Sequence, residues 1–245
     1  MKSFRCILVA ATLASGSVFA QSAVPAGASG FALAGHAARA PAHAAAVRAL
    51  RAFAEQVDHG PALARGTART MNRLARGKQA APPGFPLAIR DVAVLKQATI
   101  GWGFAVNDVR PASLLDGADL EAGARPTGQW RYVIMVHGKP VGLVTMAETD
   151  GGWQAVSFGG AGLSADIDGL VRRYGGQPGL RMRYVRVPQA SADFIEIKRD
   201  AAPARYVPLQ AARASLHLEA SSRPAGAELV PGLREAVRQN MAITH

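Results

Sequence analysis

Arginine is the residue type whose spacing in this chain points most clearly to chemistry. Arg65, Arg69 and Arg73 recur every four residues, so a helix would carry them on one face. A denser group follows between residues 172 and 186, with Tyr174 interleaved. Guanidinium groups pair with carboxylates and phosphates, so both groups predict contact with an anionic partner, and a solvated charged face is the alternative. The residues predicted to bind that partner are Arg65, Arg69, Arg73, Arg172, Arg173, Arg181 and Arg183.

The other reactive side chains have no spacing typical of catalysis or of metal binding. No two of the six histidines form H-x-x-x-H. Ser164 is not in a G-x-S-x-G elbow, because Asp166 replaces the second glycine. The stretch from Gly160 to Ala165 fits the dinucleotide fingerprint G-x-G-x-x-A, but the next predicted strand does not end in an acidic residue. We therefore predict no catalytic residue, no metal ligand and no cofactor.

One predicted strand has a face with almost no side chains, which we call its bare face, and this predicts a possible pocket. Bulky residues from Ile100 to Val106 alternate with Gly101, Gly103 and an alanine. A backbone, a helix or a ligand can approach that bare side closely. A polar segment, residues 107–128, follows and is predicted to be a long loop with a short helix near Pro111. The alternative site is a pocket between the sheet and this loop, formed by Gly101, Gly103 and His137.

The first twenty residues have the pattern of an export signal. Lys2 and Arg5 precede an apolar run, and Val18 and Ala20 are the small residues expected before a cut at Gln21. The chain has 28 basic and 17 acidic residues, so removing Lys2 and Arg5 leaves 26 against 17, a formal +9. The single cysteine would be removed as well, which excludes disulfides and thiolate chemistry from the mature protein. We predict a periplasmic or secreted protein without a transmembrane segment after cleavage.

The positive charge has two interpretations. It favours binding to an acidic protein or an anionic envelope surface by long-range attraction. Nucleic acid is a less favoured partner, because exported proteins seldom meet it and the aromatic content is only 6%. Alternatively, abundant alanine, glycine and arginine reflect GC-rich codon usage, and the charge has no specific role.

The elements that must position these residues centre on three short apolar runs between Trp130 and Phe158. In the first run, Trp130, Tyr132, Ile134 and Val136 fall on one face of a strand. A Gly138-Lys139 turn and a turn at 150–152 separate the runs. This pattern predicts an antiparallel meander.

The chain as a whole predicts an α+β fold: an N-terminal helical pair, then an antiparallel sheet of five to seven strands with one covering helix. The order of elements within about 89–209 loosely resembles cystatin-like and nuclear-transport-factor-like domains, in which a curved meander wraps a helix. In those folds a long helix more usually precedes the sheet. The predicted segments are a signal peptide 1–20, a flexible leader 21–35, a helical hairpin 36–80, a proline-rich linker 81–88, an α+β domain 89–210 and a C-terminal tail 211–245 with a short helix.

Two functions follow as hypotheses. The first is a non-catalytic binding or accessory protein, for example an inhibitor of a co-secreted enzyme, that uses its arginine-rich faces. The second is a hydrolase or small-ligand carrier that uses the pocket described above.

Overall fold

The computed structural model describes residues 36–58 and 80–243. The predicted signal peptide, the leader and the second helix of the hairpin, with Arg65, Arg69 and Arg73, lie outside these described residues. Helices within the described ranges are α1 His36–Asp58, α2 Pro111–Leu115, α3 Leu120–Gly123, α4 Ala161–Tyr174, α5 Gln210–Leu216 and α6 Gly226–Ile243, with 3-10 turns at Val92–Gln97 and Pro188–Ala190. None of these helices is long and apolar enough to cross a membrane.

Seven strands form one sheet, which confirms the α+β class and a mostly antiparallel arrangement. The strands are β1 Thr99–Val109, β2 Ala124–Val136, β3 Lys139–Thr149, β4 Gly152–Gly159, β5 Leu180–Val187, β6 Ala192–Arg199 and β7 Arg205–Pro208. Their order across the sheet is β4-β3-β2-β1-β5-β6-β7. Two antiparallel meanders, β1–β4 and β5–β7, therefore lie side by side, and β1 pairs with β5 in parallel. The antiparallel pairing predicted throughout does not hold at this junction.

The first meander forms where the alternation of Trp130 to Val136 predicts it. These four alternate residues, from Trp130 to Val136, are buried in one core cluster. The β2–β3 loop differs from the prediction by one residue. Val136 pairs with Lys139, so the loop is His137–Gly138 and not Gly138-Lys139. Both loop residues have positive φ, 49° and 73°, as a type I′ turn requires.

Helices cover both faces of this meander, in place of the single covering helix predicted. On the face of Tyr132, α1 packs so that Phe53 stacks on Phe158 with ring centroids 4.3 Å apart. On the other face, Ile167 of α4 is buried against Val133 and its neighbours. The strands are apolar on both sides because each side has its own helical layer.

Two segments predicted as irregular have regular structure. In residues 107–128, predicted to be a loop, β1 continues to Val109 and β2 begins at Ala124. The short helix predicted near Pro111 is confirmed as α2, and α3 follows it. The C-terminal segment is not a tail with a short helix: it contains α5 and the 18-residue α6. Leu229, Leu233 and Val237 of α6 lie four residues apart and are buried in a second core cluster. Their burial gives α6 a stabilising apolar face despite Pro231 within it.

Candidate binding surfaces

Arg173 and Arg223 contact Tyr174 at the end of α4, and Arg199 contacts Gln177 three residues further on. We call Arg173, Arg199, Arg223, Tyr174 and Gln177 the Tyr174 cluster. The guanidinium carbon of Arg173 lies 5.6 Å from the centre of the Tyr174 ring. The Nε of Arg223 donates to the Tyr174 hydroxyl at 3.4 Å. Gln177 accepts from Arg199 Nη2 at 2.9 Å and donates to the Arg173 carbonyl at 3.1 Å. Tyr174 thus contacts two guanidinium groups, and Gln177 accepts from a third.

The charge of the Tyr174 cluster is not neutralised within the described part of the chain. Arg173 and Arg199 are exposed, and Arg223 is half-buried. None of the three lies within ion-pair distance of a carboxylate there, although every acidic side chain of the protein belongs to the described residues. The adjacent Arg172 differs, because its Nε is 2.8 Å from Asp168 Oδ2. The cluster therefore presents uncompensated positive charge at the surface.

Arg181 and Arg183, which the sequence grouped with Arg172 and Arg173, lie elsewhere. By strand alternation Arg183 shares a face of β5 with Val185, whereas α4 packs on the face of Tyr184. Arg181 is exposed near the start of β5 on the Arg183 side. The structure thus brings Arg172 and Arg173 together and separates them from Arg181 and Arg183.

Arg183 belongs to a buried polar group. Its Nη2 donates to Glu196 Oε2 at 2.5 Å and to the Glu121 carbonyl of α3 at 3.2 Å. Glu196 is 6% exposed and also accepts from the Tyr206 hydroxyl at 2.9 Å. Lys198 pairs with the Glu121 carboxylate on the same side. These contacts join three strands, β5, β6 and β7, to α3.

The titration of this group follows from its burial. Burial alone would lower the pKa of Arg183, but the hydrogen bond and charge of Glu196 outweigh it and leave that pKa above its usual value. Burial, followed by the charge of Glu196, raises the pKa of Tyr206 well above its usual value. Tyr206 therefore stays a hydrogen-bond donor at neutral pH.

A second polar group, which we call the junction group, lies where β1 meets β5: Asp108, Arg186, Asp193, Tyr184 and Arg131. Arg131 Nη1 donates to the Tyr184 hydroxyl at 3.0 Å. Burial, followed by the charge of Asp193, raises the pKa of the Tyr184 hydroxyl. Arg186 Nε lies 3.9 Å from Asp108 Oδ1 and 3.6 Å from Asp193 Oδ1. Burial, only partly offset by the Tyr184 hydrogen bond and Arg186, raises the pKa of Asp193.

The bare side of β1 is filled by side chains. A Cβ built on Gly103 would lie 2.3 Å from ring atoms of Tyr132, and one on Gly101 would lie 3.1 Å from Cγ of Met135. Within the described chain, side chains of β2 therefore fill the space beside these glycines. His137 is exposed in the β2–β3 loop, with its Nε2 2.7 Å from Gln97 Oε1. The structure does not bring His137 into the space beside Gly103.

Replacing Gly103 with alanine is expected to lower the free energy of unfolding by about 1–3 kcal/mol, because the new methyl group would force the Tyr132 ring out of its place. The matched control is Gly169→Ala within α4. No atom lies within 4 Å of its Cβ position, so this change should raise stability by about 1 kcal/mol. Urea denaturation followed by tryptophan fluorescence measures both. Equal stability of Gly103→Ala and the parent protein would show that the ring does not occupy this position.

Sequence analysis missed Arg199, Arg223, Arg131 and Asp193 as site residues. Arg199 ends β6 opposite Leu180, and Arg223 follows β7, so neither is near Tyr174 in sequence. Had the register between β5 and β6 been predicted, Arg199 would have been placed opposite Leu180 and so beside the end of α4. The described residues contain no group of three or more histidine, cysteine, aspartate or glutamate side chains placed to hold a metal ion.

Comparison with protein-family models, with curated proteins and with solved structures finds no match to this chain.

Proposed function

We propose that this chain is an exported, non-catalytic binding protein that engages an acidic protein partner. The Tyr174 cluster is the observation that carries the proposal. Two of its guanidinium groups contact Tyr174 and a third contacts Gln177, and none of the three has a carboxylate partner within the described residues. Like charges held together repel one another, and an anionic partner would relieve that repulsion.

Two further basic features support the same proposal. Arg172 adjoins the Tyr174 cluster with 65% of its side chain accessible, although its Nε pairs with Asp168. Residues 59–79 contain Arg65, Arg69 and Arg73 and no acidic residue, which concentrates positive charge in a second part of the sequence. The export part of the proposal rests on the signal pattern in residues 1–20.

The likeness to cystatin-like and nuclear-transport-factor-like domains also stays a proposal. Its support is that α1 precedes the β1–β4 meander and packs on one of its faces. An accessory or inhibitory role toward a co-secreted enzyme is one form of the proposed binding function.

Binding of fluorescently labelled poly-L-glutamate tests the proposal directly. The variant Arg173→Gln/Arg199→Gln/Arg223→Gln should bind about tenfold more weakly than the parent, since it loses three charge-assisted contacts. The control Arg48→Gln/Arg51→Gln/Arg90→Gln removes the same charge from exposed positions elsewhere and should retain most of the affinity. Raising the salt from about 0.1 M to 1 M shortens the screening length from about 10 Å to 3 Å and should abolish binding.

Two results would contradict this proposal. Binding that is insensitive to salt would remove the electrostatic basis. Equal weakening in the cluster variant and in the control would mean that net charge alone, and no particular surface, attracts the polyanion. Vesicles with anionic lipid provide the comparison surface. Tighter binding to them than to poly-L-glutamate would mean that the partner is a membrane surface and not an acidic protein.

A further inference from the structure

The parallel pair of β1 and β5 creates a place where the chain departs in opposite directions. Their register is Val106 with Tyr184, Asn107 with Val185, and Asp108 with Arg186. Beyond Val109 the chain turns back as β2 on one side, and beyond Val187 it turns back as β6 on the other. In open α/β sheets, ligands bind at the carboxyl ends of parallel strands where the connections diverge. The β1–β5 pair shares this divergence, although its neighbours in the sheet are antiparallel.

The junction group lies at these carboxyl ends. Asp108 is the next-to-last residue of β1, Arg186 is the next-to-last residue of β5, and Asp193 faces Arg186 from β6. Their side chains are 33%, 28% and 22% exposed, respectively, so each is half-buried and still accessible from solvent. A ligand at this end of the sheet would therefore meet charged groups of both signs.

Hydrogen-bonding capacity in the junction group is incompletely used. The contacts of Arg186 Nε at 3.6 and 3.9 Å are too long for hydrogen bonds, and within the described residues its guanidinium makes none. Asp108 Oδ1 and Arg131 Nε are buried and also lack a hydrogen-bond partner there. Half-buried charged groups in this state lose favourable interactions that a polar ligand would supply.

The fixed part of the group is Tyr184. Its ring is buried against Phe104, with centroids 4.9 Å apart, and its hydroxyl is held between Arg131 and Asp193. Arg131 also lies over this ring, with its guanidinium carbon 5.5 Å from the centroid. Tyr184 thus orients one cation and one carboxylate and leaves Arg186 and Asp108 for a ligand.

We propose that the junction group is a binding site for a small zwitterion, of which an α-amino acid is the simplest kind. The ligand carboxylate would accept hydrogen bonds from Arg186, and its ammonium group would donate to Asp108. Two arginines and two aspartates have no formal net charge together, so the site has no preference for a pure anion or a pure cation. A molecule with an ammonium and a carboxylate group attached to the same carbon matches the adjacent Asp108 and Arg186.

Saturation-transfer NMR with each of the protein-forming amino acids in turn tests this site. For the amino acid that binds best, its N-acetyl derivative removes the ammonium charge and its amide removes the carboxylate. Each derivative should bind about tenfold or more weakly, as expected for loss of one charge-assisted hydrogen bond. Asp108→Asn should weaken the amino acid and leave the N-acetyl derivative unchanged, whereas Arg186→Gln should weaken the amino acid and leave the amide unchanged.

The matched control is Arg205→Gln/Glu228→Gln, which removes a 3.7 Å ion pair outside the junction group. This variant should bind the amino acid with the same affinity as the parent protein. Circular dichroism confirms that each variant is folded. The proposal is wrong if no amino acid gives saturable binding up to about 10 mM, which corresponds to less than about 3 kcal/mol of affinity. It is also wrong if Asp108→Asn weakens the amino acid and its N-acetyl derivative equally.

Discussion

Replacing Glu196 with alanine is expected to lower the free energy of unfolding by about 3–5 kcal/mol, the cost of breaking a buried ion pair from one side. Glu196 accepts from both Arg183 and Tyr206, and it is almost completely buried. Its removal would leave the Arg183 guanidinium half-buried, with only the Glu121 carbonyl as an acceptor. The Tyr206 hydroxyl would lose its acceptor as well.

Urea denaturation followed by tryptophan fluorescence measures this loss. The matched control is the double variant Arg183→Met/Glu196→Leu, which replaces both charges by apolar side chains of similar size. Because both desolvated charges are gone, it should recover most of the stability. If Glu196→Ala cost less than about 1 kcal/mol, the cost of an exposed pair, then Glu196 would be hydrated and the buried position assigned to it would be wrong.

Replacing Leu87 with alanine is expected to cost about 2–5 kcal/mol, although this residue lies in the segment that the sequence predicts to be a linker. Leu87 is buried, and its Cδ2 lies 2.4 Å from the position that a Cβ on Gly142 would occupy. The neighbouring Ala88 N–H donates to the Val141 carbonyl at 2.8 Å. Residues 81–88 are therefore packed on the sheet, and Leu87 fills the space above a glycine.

Leu115 provides a control of the same residue type, because it is 36% exposed at the end of α2. Leu115→Ala should change the free energy of unfolding by less than about 1 kcal/mol. Chemical denaturation of both variants under one set of conditions gives the comparison. Equal effects at Leu87 and Leu115 would mean that residues 81–88 behave as a linker after all.

Local patterns predicted the parts of the fold that depend on neighbouring residues. The period-two alternation from Trp130 to Val136 predicted β2 and its buried face, because a pleated strand makes alternate residues equivalent. The segment 107–128 was predicted as a loop with a short helix near Pro111, and that helix is α2. Pro126 was read as a break, but it pairs with Asn107 in an extended strand. Proline is compatible with both positions, so its presence alone could not decide.

The candidate sites depended on information that local patterns do not contain. Arg181 and Arg183 lie two residues apart in sequence, so strand alternation puts them on one face of β5. It could not show that Arg183 faces Glu196, because that depends on the register between β5 and β6. The junction group was likewise hidden, since Asp108 and Arg186 become neighbours only through the parallel pairing. No helix or strand period relates residues so far apart in the chain.

The parallel β1–β5 pairing also has a consequence for the order in which the molecule folds. Hairpins such as β2–β3 close short loops and can form early, whereas β1 must wait for β5 across three intervening strands and three helices. Asn107 Nδ2 donates to the Tyr184 carbonyl at 3.0 Å and so stabilises the contact between β1 and β5. Refolding should therefore be limited by the docking of two preformed meanders, and substitutions at Asn107 should act mainly on the rate of that step.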